Sequence, residues 1–182
     1  MIIGITGTNG AGKGAVVEFL VKERGFAHYS VREFLFEEIR RRGMPLDRNS
    51  TNTVGNDLRK LHGPGYIVGQ LLARAQQAGT NVVIESVRSL GEAEYLKAHG
   101  ALLWGVDADR HTRFERVVVR GSGTDRISFE EFCAQEDREL NQKEAFGMNV
   151  LGVMRMADHV FINNGTIEEL DAQIEQVLAT TQ

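Results

Sequence analysis

Near the amino terminus, Gly7-Thr8-Asn9-Gly10-Ala11-Gly12-Lys13-Gly14-Ala15 sets a lysine directly after a glycine-rich turn, in the spacing G-x-x-x-x-G-K. Glycines let the backbone turn tightly with its N–H groups facing inward, and a following helix adds the N–H groups of its first turn. The result is a concave anion site. Apolar Ile2–Ile5 before the turn reads as a strand and Lys13–Arg24 after it as an amphipathic helix, which is the context a phosphate-binding P-loop requires. Lys13 would then reach the β- and γ-phosphates of a nucleoside triphosphate as a point charge. One part of the pattern is absent. The Ser or Thr whose hydroxyl binds magnesium after the lysine is Gly14 here, and the next residue is Ala15. Thr6 and Thr8 stand at the wrong end of the loop. Magnesium arriving with ATP is therefore expected to be held by phosphates, water and a carboxylate.

Glu85 is the carboxylate in the right context, because it closes the apolar run Asn81–Glu85. In P-loop proteins a carboxylate at the end of a neighbouring strand holds magnesium directly or through water. The longer glutamate side chain favours the water-bridged form. Arg88, three residues on, has a planar fork that grips phosphate with two hydrogen bonds. It falls at the carboxyl end of a strand, where open α/β sheets bind their ligands. Further along, Arg113, Arg116 and Arg120 recur at spacings of three and four and so share one helix face. Phe114, Val117 and Val118 are expected to pack on the sheet behind them. This stripe runs into Gly121–Ile127, a Gly-Ser-Gly loop carrying Arg126, and reads as a short lid whose arginines close over phosphates.

These groups need a scaffold, and the hydrophobic pattern describes one. Candidate strands Ile2–Ile5, Phe26–Tyr29, Asn81–Glu85, Ala101–Asp107 and His159–Ile162 alternate with longer amphipathic stretches. The predicted helices are Lys13–Arg24, Val31–Arg42, Thr51–Leu61, Gly65–Ala78, Leu90–His99, Asp109–Arg120, Ser128–Ala145, Gly147–Met156 and Ile167–Leu178. Ser128 with Glu131 and Thr166 with Glu169 fit capping boxes. Gly43–Ser50 and Gly121–Ile127 read as the most mobile loops. Continuous apolar strands imply a parallel sheet covered on both faces, hence an α/β fold. The 182 residues carry no linker or repeat and are expected to form one domain.

Composition narrows the function. A net charge of -4 speaks against an extended nucleic-acid surface. Cys133 is the sole cysteine, and the five histidines show no pair at metal-ligand helical spacing, so no structural metal is expected. No apolar run approaches a membrane span and the first residues do not read as a signal peptide, which makes the cytoplasm the expected compartment. Trp104 reads as core. Phe34, Leu35 and Phe36 exceed what one helix face needs, leaving core packing or the wall of an acceptor pocket open.

The residues resemble the nucleotide-kinase branch of P-loop proteins. Gly7–Gly14 is similar to the adenylate-kinase form of the loop, and Glu85-Ser-Val-Arg88 to that family's Asp-Gly-x-Pro-Arg segment without its proline. Arg88–Tyr95 and Thr112–Arg116 resemble stretches of archaeal adenylate-kinase-related proteins of unassigned function, a resemblance that covers nearly the whole chain. Ala157–Gly165 is similar to the closing segment of dephospho-coenzyme A kinases. The resemblance implies a three-layer P-loop NTPase fold on a five-stranded parallel sheet, an acceptor-binding helical region at about 30–80, and a lid at about 121–127. On this analogy Gly7, Thr8, Asn9, Gly10, Ala11, Gly12, Lys13, Gly14 and Ala15 bind the donor phosphates. Arg116 would stack near the donor base, and Asn163 and Gly165 would line it through backbone atoms. Arg120 would contact the transferring phosphate and Arg88 would hold the acceptor phosphate, helped by Arg32 or Arg59. The chain also departs from the adenylate kinases. Where their Ser-Thr-Gly-Asp-x-x-Arg segment grips the acceptor, Phe36 takes the place of the arginine and Arg32 that of the glycine. The Asp-Ala-Asp that dephospho-coenzyme A kinases place after the second strand is missing as well. The expected activity is ATP- and Mg2+-dependent phosphoryl transfer to a small phosphorylated acceptor, a nucleoside or deoxynucleoside monophosphate. Dephospho-coenzyme A is the alternative acceptor, a nucleotide-dependent switch the alternative of another class, and a homodimer the assembly to test. A guanine-specific switch is disfavoured, because Asn163-Asn164-Gly165-Thr166 lacks the Asn-Lys-x-Asp signature.

Overall fold

The computed structural model describes residues 1–77, 79–121, 128–140 and 147–181. Its strands are β1 (Ile2–Gly7), β2 (Ala27–Ser30), β3 (Val82–Glu85), β4 (Leu102–Asp107) and β5 (His159–Ile162). The helices among the described residues are α1 (Lys13–Arg24), α2 (Val31–Arg41), α3 (Arg48–His62), α4 (Tyr66–Gln76), α5 (Leu90–Ala98), α6 (Arg110–Arg120), α7 (Phe129–Leu140), α8 (Val150–Arg155) and α9 (Ile167–Thr180). All strand pairs are parallel, in the order β2-β3-β1-β4-β5. Both faces are covered. Ile3, Ile5, Val83, Trp104 and Phe161 pack under α1 and α9, while Val82, Ile84 and Leu103 pack under α2, α3, α4, α5 and α8. This is the parallel α/β sheet, covered on both faces, expected from the continuous apolar strands, in the three layers that the resemblance implied. Among the described residues no helix is long and apolar enough to cross a membrane.

The register matters for the site. Ile5 lies beside Glu85 and Gly7 beside Val106, so the carboxyl ends of β1, β3 and β4 finish side by side. The glycine loop, Glu85 and Asp107 therefore open on one edge of the sheet.

Several boundaries differ from the sequence reading for local reasons. The expected loop 43–50 ends early, because the Asp47 side chain accepts a hydrogen bond from the Ser50 amide at 2.7 Å and starts α3 at Arg48. The helix before the fifth strand begins at Val150, capped by Asn149, rather than at Gly147. The Ser128–Glu131 and Thr166–Glu169 caps form as expected, and Ser89 with Glu92 makes a third capping box. Helix α7 runs to Leu140, and the end expected at Ala145 lies outside the described residues. So do lid residues 122–127, with Arg126.

Candidate phosphate-binding site

The loop between β1 and α1 is shaped by two glycines that meet other elements. Gly10 has φ +80°, and a Cβ there would lie 2.3 Å from the Arg113 carbonyl oxygen. Gly12, at φ +98°, backs onto the Asn163 amide, which donates to the Ala11 carbonyl at 2.9 Å. Only glycine suits a left-handed conformation with the Arg113 backbone or the Asn163 side chain this close. Lys13 Nζ folds over the loop and donates to the carbonyls of Gly7 (3.0 Å) and Thr8 (2.7 Å). Burial, reinforced by the like charge of Arg88 and opposed by Glu85, pulls its pKa down to about 7, with Arg120 and Arg113 adding to the depression. Gly14 faces open space, with nothing within 4 Å of where its Cβ would be.

On one side of the loop, Thr8 Oγ1 donates to Asp107 Oδ1 at 2.7 Å, and the same oxygen accepts from the Ala108 amide at 2.9 Å. The sequence reading passed over Asp107, although a carboxylate closing a strand next to the loop strand was a visible signal. On the other side, Glu85 Oε1 accepts from Ser30 Oγ and Ser86 Oγ, both at 3.3 Å. Glu85 Oε2 lies 3.8 Å from His28 Nε2. Ser86 adopts φ 68°, a left-handed conformation that a residue with a Cβ reaches only under strain. Among the described residues no group of three or more His, Cys, Asp or Glu side chains gathers to hold a metal ion. The residues present fit magnesium held mainly by phosphate oxygens and water, with Glu85 and Asp107 the carboxylates at the neighbouring strand ends. Thr6 Oγ1 is buried at the end of β1 with no hydrogen-bond partner among the described residues.

Arg88 is fixed through its backbone. Its N–H donates to Glu92 Oε2 at 3.2 Å, and its carbonyl accepts from the Asn149 amide at 2.8 Å. Burial, together with the like charges of Arg48 and Arg32, lowers its pKa to about 10 against the opposing pull of Glu92 and Glu85. A cavity beside the loop is lined by Thr8, Asn9, Arg48, Arg88, Phe132 and Glu136. Arg48, the first residue of α3, donates to Gln135 Oε1 of α7 at 2.6 Å. Arg32 lies with its guanidinium 5.0 Å from the Phe36 ring centre. Phe36 and Phe34 pack half-buried against the core under α2, so the aromatic residue at the cavity is Phe132 and not Phe36.

Two expectations are corrected. Arg59 is not an acceptor ligand. It is buried, and its Nε and Nη2 both donate to Glu92 Oε1, at 3.0 and 2.7 Å. A guanidinium whose fork is closed on a buried carboxylate acts at one remove, here by holding the glutamate that holds Arg88. Arg113 likewise does not face a lid. It is buried, grips both oxygens of Glu136, and donates to the carbonyls of Ala108 (2.7 Å) and Asn9 (3.4 Å). The helix is rotated from the expected setting, so Val118 and Val119 face solvent and Phe114 packs on Phe129 and Phe132 of α7. Arg116 and Arg120 do reach the loop region. Arg116 Nη1 donates to the Asn163 carbonyl at 2.8 Å, and Arg120 Nη2 stands 3.5 Å from Asn9 Oδ1. Gly165 sits against the Glu169 side chain in the α9 cap rather than against the loop.

Known proteins share the family and the fold of this chain. A family model described as AAA domain matches residues 3–146. A UPF0200 protein of Methanococcus vannielii is 33% identical over 180 residues, covering 97% of this chain and 92% of the relative. A UPF0200 protein of Thermococcus kodakarensis is 31% identical over 185 residues, covering 98% and 96%. Among solved structures, TT1252 from Thermus thermophilus superposes with TM-score 0.67 at 22% identity, over 100% of this chain and 98% of that one. Shikimate kinase from Acinetobacter baumannii in complex with shikimate gives 0.62 at 13% identity, over 100% and 94%. These two likenesses concern the fold.

Proposed function

The chain belongs to the AAA-domain family and to the UPF0200 group, and from that premise we propose that it transfers the γ-phosphoryl group of ATP to a small phosphorylated acceptor, a nucleoside or deoxynucleoside monophosphate. The observation that supports this reading most is that Arg48 and Arg88 line the same small cavity as the loop residues Thr8 and Asn9. In this reading the loop amides and Lys13 hold the donor, Arg116 and Asn163 form the corner for its base, and Arg120 reaches the transferring phosphate. Magnesium supplies charge neutralisation when bound, and Glu85 would orient it through water. Acceptor residues are Arg88 and Arg32, and Arg48 joins them.

The open space at Gly14 favours a second reading, a nucleotide-dependent switch, because the hydroxyl that normally anchors magnesium has no replacement there. Dephospho-coenzyme A is the other acceptor consistent with a phosphorylated substrate. A turnover screen separates all three: ATP with ribo- and deoxyribonucleoside monophosphates and dephospho-coenzyme A, with Lys13→Ala as the control. Tight ATP binding without turnover on any acceptor would favour the switch. ATP binding by the Lys13→Ala protein equal to that of the wild type would remove the P-loop reading altogether.

A further inference from the structure

We infer that two copies of this chain join through the outer edge of β5, which carries one sheet antiparallel into the other about a two-fold axis, with α9 of each copy flanking the joint. The inference stands apart from the phosphotransfer reading. Among the described residues β5 pairs with β4 on one side and with no strand on the other. Such an edge offers a row of backbone donors and acceptors, and proteins usually guard it with lysine, proline, a bulge or a covering element. His159-Val160-Phe161-Ile162 carries neither lysine nor proline. Phe161 is buried under α9, so the alternation of the strand sets Val160 and Ile162 on the opposite face. They stand 37% and 54% exposed there, although both are β-branched residues suited to a covered sheet.

The charge pattern points to a second copy as the partner. On the α9 side of β5 runs a groove lined by Trp104, His159, Gln173, Gln176, Val177 and Thr180. Gln173, Gln176 and Thr180 recur at spacings of three and four and form one uncharged stripe on the helix. The acids Glu168, Asp171 and Glu175 lie on the flank toward α1, where Glu175 pairs with Arg24. Glu169 is closed on the Thr166 amide in the N-terminal cap at 2.9 Å. Asp158, at the start of β5, has one oxygen on Lys97 and the other on the Leu103 amide. Like charges set across an interface cost free energy, so a chain of net charge -4 meets its own copy best where its acids are turned away. A two-fold contact sets one patch against itself. At the strand spacing of about 4.8 Å it would bring Val160 and Ile162 of one copy beside those of the other, and the two uncharged stripes beside each other.

The test is the mass of the full chain by sedimentation equilibrium and light scattering, from about 1 to about 100 μM. A dimer is expected. Val160→Lys and Ile162→Lys each place a charge at an already exposed position of the edge. Each should weaken the dimer about tenfold or more, while circular dichroism and the ATP Kd stay those of the wild type. Leu61→Lys, at a position 75% exposed on α3, should leave the mass unchanged. Gln176→Glu supplies a readout that damage to the fold would not. It sets like charges of the two copies near each other, so a dimer lost at low salt should return at about 0.5 M salt. A wild-type chain that stays monomeric up to about 100 μM would overturn the inference. So would a dimer that is as stable in the folded double variant Val160→Lys, Ile162→Lys as in the wild type, or one that Gln176→Glu leaves unchanged at low salt.

Discussion

Lys13 gives two of its three ammonium hydrogens to carbonyls of its own loop, which leaves one for an incoming phosphate. Its pKa of about 7, against an ordinary 10.5, has two consequences of defined sign. Between those values the unfolded chain binds more protons at this residue than the folded one, so its contribution makes the nucleotide-free fold more stable as pH rises through that window. ATP favours the charged amine, so its binding takes up a proton and weakens above pH 7. Calorimetry in buffers of differing ionisation heat should show this uptake near pH 8, and a Lys13→Met protein should lack it. Ser86 offers another test at this scale. Glycine relieves the φ 68° strain, and such strain costs about 1–2 kcal/mol for a residue with a Cβ. Ser86→Gly also removes a hydroxyl that orients Glu85. The variant should melt at a higher temperature yet need more magnesium for turnover, and Glu85→Gln should share only the second effect. A lower melting temperature for Ser86→Gly would mean that the hydroxyl contact outweighs the strain.

Elements are locked by buried ion pairs whose partners lie far apart in the chain. The Arg113–Glu136 pair joins α6 to α7, and through the Asn9 and Ala108 carbonyls it also joins the P-loop and the end of β4. The Arg59–Glu92 pair joins α3 to α5 and fixes the turn that carries Arg88. Buried pairs add little net stability over a well-packed apolar pair, but removing one member strands a buried charge. Glu136→Gln should therefore destabilise the protein by about 3 kcal/mol, read as a lower urea midpoint at unchanged slope. A loss below about 1 kcal/mol would mean that Arg113 finds another acceptor when its partner is neutralised.

Across the whole molecule, one edge of the sheet gathers the glycine loop, Arg48, Arg88 and the helices beside them. Because Arg113 touches both Asn9 and Glu136, ATP at the loop should slow amide exchange in α7 as well as in α1. Hydrogen exchange with and without ATP measures this, and Glu136→Gln should keep the effect on α1 while losing it on α7. If α7 is unaffected by ATP in the wild type, the clasp does not transmit loop occupancy. What was legible beforehand follows the same division. The glycine loop, its strand and helix, Glu85 and Arg88 could be read from the sequence because contiguous residues form them, and the apolar strands already implied a parallel sheet covered on both faces. Whether an arginine meets a phosphate or a carboxylate is settled by residues distant in the chain. Arg48 meets Gln135 across 87 positions, and Arg59 meets Glu92 across 33. Arg113 and Arg116, three residues apart with the same side chain, go to a buried glutamate and a backbone carbonyl respectively. Spacing placed them on one face of a helix. Only the rotation of that helix against α7, driven by packing Phe114 on Phe129 and Phe132, decided which of them was buried and which reached the loop region.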